Sequence, residues 1–415
     1  MSKWTCMAVW PLGIFLLIAA CFPVKSERLK ICGLSYIDGL PICIETANGL
    51  IASISRPERL PAGTPPLYLA PGLFDNQVNG GSGVYFSSEN PLTPDEIRKV
   101  VRSQWSAGVT SFLPTLTSHT RQVLKRNLEA LARWSGYPEF RGTIPGFHLE
   151  GPYISPEDGY RGAHARQFVR EPDVEELMEL QRAAGNKILT VTLAPERPGA
   201  MELIRWCTQD GIVVALGHHN ASAGTIRTAV RNGARIATHL GNGCANLIHR
   251  HENPLWPQLA DDSLMISIIA DGFHLTAEEI KTFYKVKGAG KIVITSDITR
   301  YAGLTPGIYS TADGRKIELT PAGKVQYPAQ GVLAGSALAV DTGVKKVMNF
   351  TGASLEEVIR MSSTNVARLY GLEDRGRLRE GMRADIILFS LGRHKLDIHR
   401  TFVAGALVFE QDARK

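Results

Sequence analysis

The chain has 415 residues, 44% of them hydrophobic, with 46 basic and 40 acidic side chains and a net charge of +6. That length excludes a single small domain and allows one large α/β barrel with an accessory piece. The basic residues are scattered, without the patch or stripe of a nucleic-acid surface, so no nucleic-acid partner is expected.

Residues 1–26 stand apart. Lys3 precedes an apolar run from Met7 to Ala20, which Pro11 interrupts and which is too short for a comfortable membrane span. The run reads as a signal peptide. Ile18-Ala19-Ala20-Cys21 is similar to a bacterial lipobox, which would make Cys21 the lipidated first residue of a membrane-anchored, extracytoplasmic protein. The competing reading is a start codon placed too far upstream, with a cytoplasmic protein beginning near Glu27. Six cysteines are present and none forms a CxxC pair, so a structural zinc knuckle is not expected. Cys32 and Cys43 either pair in an exported protein or remain two buried thiols.

Residues 27–70 contain short strands separated by turn glycines. From 71 to 372 apolar strands alternate with helical patterns, which predicts βα units and a parallel sheet. The strands are GLFDNQVNG (72–80), GVTSFLPTL (108–116), GTIPGFHLE (142–150), ILTVTLAPE (188–196), IVVALGHHN (212–220), ARIATHLGN (234–242), LMISIIADGFH (264–274) and KIVITSD (291–297). The first helix opens on Thr93, Pro94 and Glu96, a capping-box arrangement. Eight strands alternating with helices predict a (β/α)8 TIM barrel. SLEEVIRMSSTNVARLYG (354–371) reads as one long helix leading out of it. Residues 373–415 return to short strands, so both chain ends are expected to build one small β-sandwich domain beside the barrel.

In such a barrel the reactive groups sit at the C-terminal ends of the strands. Glu150 ends the third strand, the fifth carries His218 and His219, and the sixth carries His239. The seventh runs into Asp271 and His274, and the eighth ends in Asp297. Glu150, His218 and His239 make a two-histidine, one-carboxylate set of the kind that holds one catalytic divalent metal ion with a position open for water. Zn2+ is expected, and Fe2+, Mn2+ or Co2+ would also suit these donors. Asp297 is then the acid–base residue. Alone, a strand-end histidine is more often a core or loop residue, and Glu150 could merely cap a loop. Four such residues on four strands are harder to assign to chance. Alternation turns His219 away from its neighbour.

The segments PGLFDNQVNGG (71–81), GFHLEGPYISP (146–156), RGAH (161–164), LGHHNAS (216–222), THLGN (238–242), HRHE (249–252), ADGFHL (270–275), TSD (295–297) and LAGSAL (333–338) carry a resemblance. Together they are similar to N-acetylglucosamine-6-phosphate deacetylases of the amidohydrolase superfamily, over roughly residues 30–410. The resemblance implies a metal held by Glu150, His218 and His239, with Asp297 as catalytic acid–base. It implies that His164 holds the substrate and polarises the acetyl carbonyl, and that His274 holds the sugar. It further implies that the Asn242 and Gly243 amides and Arg250 meet the phosphate, in a homodimer acting on a small amino-sugar substrate. Most amidohydrolases carry H-x-H after the first strand for a second metal. Gln77-Val78-Asn79 stands there instead, as in one-metal members, which places Gln77 with the substrate-binding residues. The chain departs from the family at His219, where many relatives carry serine, and in the loop after His239. Two alternatives follow. One is a deacylase of an unphosphorylated N-acyl amino sugar or N-acyl amino acid, and the other is a non-catalytic surface binding barrel.

Overall fold

A computed structural model describes residues 28–311 and 314–412. The leader and the lipidation site expected at Cys21 lie outside the described residues. No helix among the described residues is long and apolar enough to cross a membrane.

Eight parallel strands form the barrel: Leu73–Val78, Val109–Thr117, Phe147–Glu150, Ile188–Leu193, Val213–Leu216, Ala234–Ala237, Met265–Ile269 and Ile292–Thr295. Each is hydrogen-bonded to the next in that order. Helices cover the outside while side chains fill the inside, so the strands are buried on both faces and read as near-continuous apolar runs. The second strand, VTSFLPTLT, is buried along all but its last residue. The first barrel helix, Pro94–Ser106, starts as its sequence predicts: the Thr93 side chain accepts from the Glu96 amide, and the Glu96 carboxylate accepts from the Thr93 amide. Its inward face buries Ile97, Val100, Val101 and Trp105. Burying a side chain of that size stabilises the fold by about 1.5–3 kcal/mol.

The two chain ends meet in one seven-stranded sheet. Leu29–Ser35, Pro41–Ala47, Leu50–Ser55 and Tyr68–Pro71 join Ile386–Leu391, Leu396–Val403 and Ala406–Glu410. Ile31, Ile42, Ile44, Leu69, Ile386 and Phe402 give it a core of its own. Cys32 and Cys43 stand directly opposite each other on adjacent antiparallel strands and form a disulfide.

Two features differ from the sequence pattern. The stretch between the eighth strand and the next helix holds a four-stranded antiparallel sheet, Gly307–Ser310, Lys316–Leu319, Lys324–Tyr327 and Val332–Ser336. Its strands lack the continuous apolar run of the barrel strands: GIYS is mostly exposed, and KIEL and KVQY carry one buried aliphatic or two at most. The helix expected over 354–371 is broken by a π-turn at Arg360–Thr364, between Leu355–Ile359 and Asn365–Leu369. The widened turn lies where Ser363 donates to the Gly72 carbonyl and Asn365 donates to the Ala289 and Ile292 carbonyls beneath the barrel.

Candidate active site

Glu150 is the last residue of its strand, but His218, His239, Asp271 and Asp297 each stand two residues past theirs, which end at Leu216, Ala237, Ile269 and Thr295. His218, His239 and Asp297 have φ values of +55°, +31° and +51°. A left-handed backbone costs a non-glycine residue roughly 1–2 kcal/mol and persists where surrounding bonds enforce it. Here the enforcing bonds are visible. The His218 carbonyl accepts from the Ser155 amide at 2.9 Å, and the Asp297 carbonyl accepts from the Ser336 amide at 3.0 Å. The His239 amide donates to the Ser267 hydroxyl at 2.7 Å. The turned backbones aim three side chains inward at one point.

The two histidines meet at Glu150, which is buried. Its Oε1 lies 2.9 Å from His239 Nε2 and 3.4 Å from His218 Nε2, and its Oε2 lies 3.9 Å from His164 Nε2. Burial opposes ionisation of Glu150, but the His218 and His239 imidazoles outweigh it and hold the carboxyl well below the usual range. His218 Nδ1 sits 2.9 Å from the Tyr160 carbonyl, an acceptor only, so its proton is on Nδ1 and the Nε2 lone pair faces Glu150. Either a second proton on the ring or a metal cation must therefore lie between Nε2 and Oε1. Two imidazoles and a carboxylate are donors suited to a divalent ion, and a tetrahedral site with three protein ligands would keep its fourth position open. The His239 imidazole is biased toward its charged form: burial opposes this, but the bond to Glu150 and its charge prevail. A divalent ion bound there would take the place of that proton.

Among the described residues, the group whose donor atoms all lie within 4.8 Å of one another is Glu150, His164 and His218, and His239 is not in it although its Nε2 lies 2.9 Å from Glu150 Oε1. The hydrogen bonds of His164 argue for another role. Its Nδ1 accepts from the Ser118 amide at 3.3 Å, so the neutral ring carries its proton on Nε2, pointing inward as a donor. Burial, and then the nearby His218, press its pKa down to about 3, which keeps it neutral.

Across from the cluster, Asp297 Oδ1 accepts from Asn79 Nδ2 at 2.6 Å and from Gln77 Nε2 at 3.0 Å. Gln77 Nε2 also donates to Glu150 Oε1 at 2.8 Å. Both neighbours are acceptors, so the nitrogen end of Gln77 faces the centre. An amide NH2 is not a metal ligand, which fits a single ion. Burial, then the Glu150 carboxylate, push the Asp297 pKa up to about 7. A carboxyl titrating there can both take and return a proton near neutral pH.

These groups open into one cavity of about 880 Å3, lined by Glu150, His164, His218, His239, His274 and Asp297. His274 is anchored by Asp271, whose Oδ2 accepts from its Nδ1 at 2.8 Å. Asn242 and Gly243 line the cavity too. A side chain at Gly243, where φ is +64°, would meet the His218 ring at 2.9 Å. His219 turns away and packs against Gln258, its Nε2 3.3 Å from Oε1. Arg250 is exposed and is not among the cavity-lining residues.

Residues 68–409 match the amidohydrolase family model. The chain belongs to the amidohydrolase family. It is 35% identical over 358 residues to the N-acetylglucosamine-6-phosphate deacetylase of Bos taurus, covering 83% of this chain and 85% of that protein. It is 30% identical to the N-acetylgalactosamine-6-phosphate deacetylase of Escherichia coli O157:H7, covering 88% and 94%. The crystal structure of N-acetylglucosamine-6-phosphate deacetylase from Thermotoga maritima aligns with a TM-score of 0.81 at 30% identity, covering 92% of this chain and 100% of that one.

The cavity of this amidohydrolase also holds residues that sequence reasoning passed over. Ser118, which sets the His164 tautomer, and the Tyr160 carbonyl, which sets that of His218, carry no sequence signal. Arg300 is another. It lines the cavity with its guanidinium 5.7 Å from the Tyr85 ring centre and 5.2 Å from that of Tyr301. Nη2 donates to the Tyr301 hydroxyl at 3.2 Å. Its position three residues past Asp297, on the same mouth, was the available clue.

Proposed function

We propose that this amidohydrolase removes the acetyl group from N-acetylglucosamine 6-phosphate, giving glucosamine 6-phosphate and acetate. Glu150, His218 and His239 would hold one divalent ion, zinc in our reading. Such an ion polarises a carbonyl and lowers the pKa of water towards ~7. Asp297 takes the proton from the attacking water, and its carboxyl then donates that proton to the departing amine nitrogen. His164 donates from Nε2 to the carbonyl oxygen as negative charge builds there. His274, fixed by Asp271, is placed to hold a sugar hydroxyl. The observation that carries this reading is the convergence of the His218 and His239 Nε2 atoms on Glu150 Oε1, with Asp297 facing them. Acetate release from N-acetylglucosamine 6-phosphate by the purified protein tests it, and a protein that releases none at full metal loading contradicts it.

We read the phosphate as met by the Asn242–Gly243 loop and by Arg300, the arginine of the catalytic mouth that stacks on Tyr85 and Tyr301. Guanidinium forks match phosphate oxygens. Arg300→Ala is expected to raise KM for the 6-phosphate about tenfold, corresponding to one charge-assisted bond. KM for unphosphorylated N-acetylglucosamine should not change. Arg250 would act in a homodimer. It lies near Leu247, 93% exposed in the same loop, and Trp256, 54% exposed on the helix Leu255–Ala260, whose Nε1 donates to the Arg250 carbonyl, apolar surface that a second copy would cover.

One observation favours a second reading, in which the substrate is an unphosphorylated N-acyl amino sugar. The Cys32–Cys43 disulfide suits an oxidising compartment, where a leader cleaved before Cys21 would deliver the protein and where sugar phosphates are not expected. A higher kcat/KM without the 6-phosphate than with it would establish that reading.

A further inference from the structure

The barrel ladder runs from the eighth strand back to the first without closing: among the described residues no ladder joins Ile292–Thr295 to Leu73–Val78. One isolated bridge, Val78 to Ile298, crosses the seam above it. The seam matters because its two sides carry Gln77 and Asn79, which bind the acid–base carboxylate, and Asp297, which supplies it. Asp297 also holds a left-handed backbone.

A buried carboxylate crosses this seam. Asp75 is wholly inaccessible. Its Oδ1 accepts from the Thr295 hydroxyl at 2.8 Å, the Ser296 amide at 3.1 Å and the Gln77 amide at 3.3 Å. Its Oδ2 accepts from the Ser296 hydroxyl. The Ser296 oxygen in turn accepts from the Ile298 amide at 3.1 Å. The residues before and after Asp297 are thus both tied to Asp75, and so is the amide of Gln77. All four donors to Asp75 are neutral. A buried carboxylate held only by neutral donors is costly to desolvate, so apolar packing would close the seam at lower cost.

We infer that Asp75, acting through Ser296, is the positioning residue that sets Asp297 against Gln77, Asn79 and the metal cluster. A carboxylate is needed because four donors converge on it. An amide offers one acceptor oxygen and would turn its own N–H toward a donor. Displacing a reacting group by 1 Å can cost ~10²-fold in rate.

The inference rests on Asp297 being the acid–base group, so Asp297→Asn is assayed alongside. Asp75→Asn and Ser296→Ala are expected to lower kcat about 10²-fold, with KM changed less than about threefold and bound metal per chain unchanged. Ser296→Thr, which keeps the hydroxyl, should restore most of the loss. Ile292→Val, at the far end of the same strand, serves as a stability control and should keep the wild-type kcat. If Asp75→Asn does not fold, the Ser296 pair carries the test. Wild-type kcat in Ser296→Ala beside an inactive Asp297→Asn would overturn the inference and leave the proposed function standing. So would a fall in kcat matched by lost metal, or one that Ser296→Thr fails to relieve. An active Asp297→Asn would instead remove the proposed mechanism.

Discussion

Asp297→Asn is expected to give a folded, metal-loaded protein whose kcat is about 10⁴-fold lower, the upper end of what one positioned acid–base group contributes. Asparagine keeps the Oδ1 acceptor that binds Gln77 and Asn79, at 3.0 and 2.6 Å in the native chain, so the seam should hold. What it loses is the proton acceptor facing Glu150. Because burial and the Glu150 charge push the Asp297 pKa up to about 7, the native pH profile should show the same group. Asp297 must be ionised to take a proton from water, so kcat/KM rises with pH through its pKa. A bound cation offsets the Glu150 charge, so in the metal-loaded protein that acid limb is expected below about 7. The Asn variant should lack the limb. Rate measurements across pH 4–9 on both proteins check the pair of statements, and an unchanged limb in the variant would contradict them.

Glu150→Gln has the second large effect. The carboxylate is the only negative charge among the proposed ligands, and two imidazole nitrogens converge on it within 3.4 Å. Removing one partner from a buried charge cluster costs about 3–5 kcal/mol, or ~10²–10⁴-fold in affinity for the ion. Activity should fall in parallel and return in part with excess metal, whereas Asp297→Asn should not respond to metal at all. Metal titrations of the two variants separate the roles: equal recovery in both would mean that Asp297 and Glu150 do not differ in function.

Much of this site was legible in the chain because a (β/α)8 barrel converts a linear pattern into a place. Eight apolar runs, each followed by a helix, require Glu150, His218, His239 and Asp297 to share one mouth, whatever their separation in sequence. What sequence could not convey is how they are aimed. The strands stop two residues before His218, His239 and Asp297, and left-handed backbones at histidine and aspartate have no sequence signature. Asp75 was invisible for a related reason: it sits inside an apolar strand, and only tertiary packing shows which donors converge on it. The pairing of Cys32 with Cys43 stayed open because it depends on hairpin register. The sheet between 307 and 336 escaped because its strands, such as KIEL and KVQY, are partly exposed and carry no apolar run like those of the barrel.

The claim on which the rest depends is that one ion is gripped by Glu150, His218 and His239. Anomalous diffraction from crystals of the metal-loaded protein tests it most directly. The account predicts a single peak at about 2.0–2.2 Å from a Glu150 carboxylate oxygen and from the Nε2 atoms of His218 and His239. A peak coordinated by His164 in place of His239, a second peak beside Gln77 and Asn79, or no peak at full metal loading would contradict it.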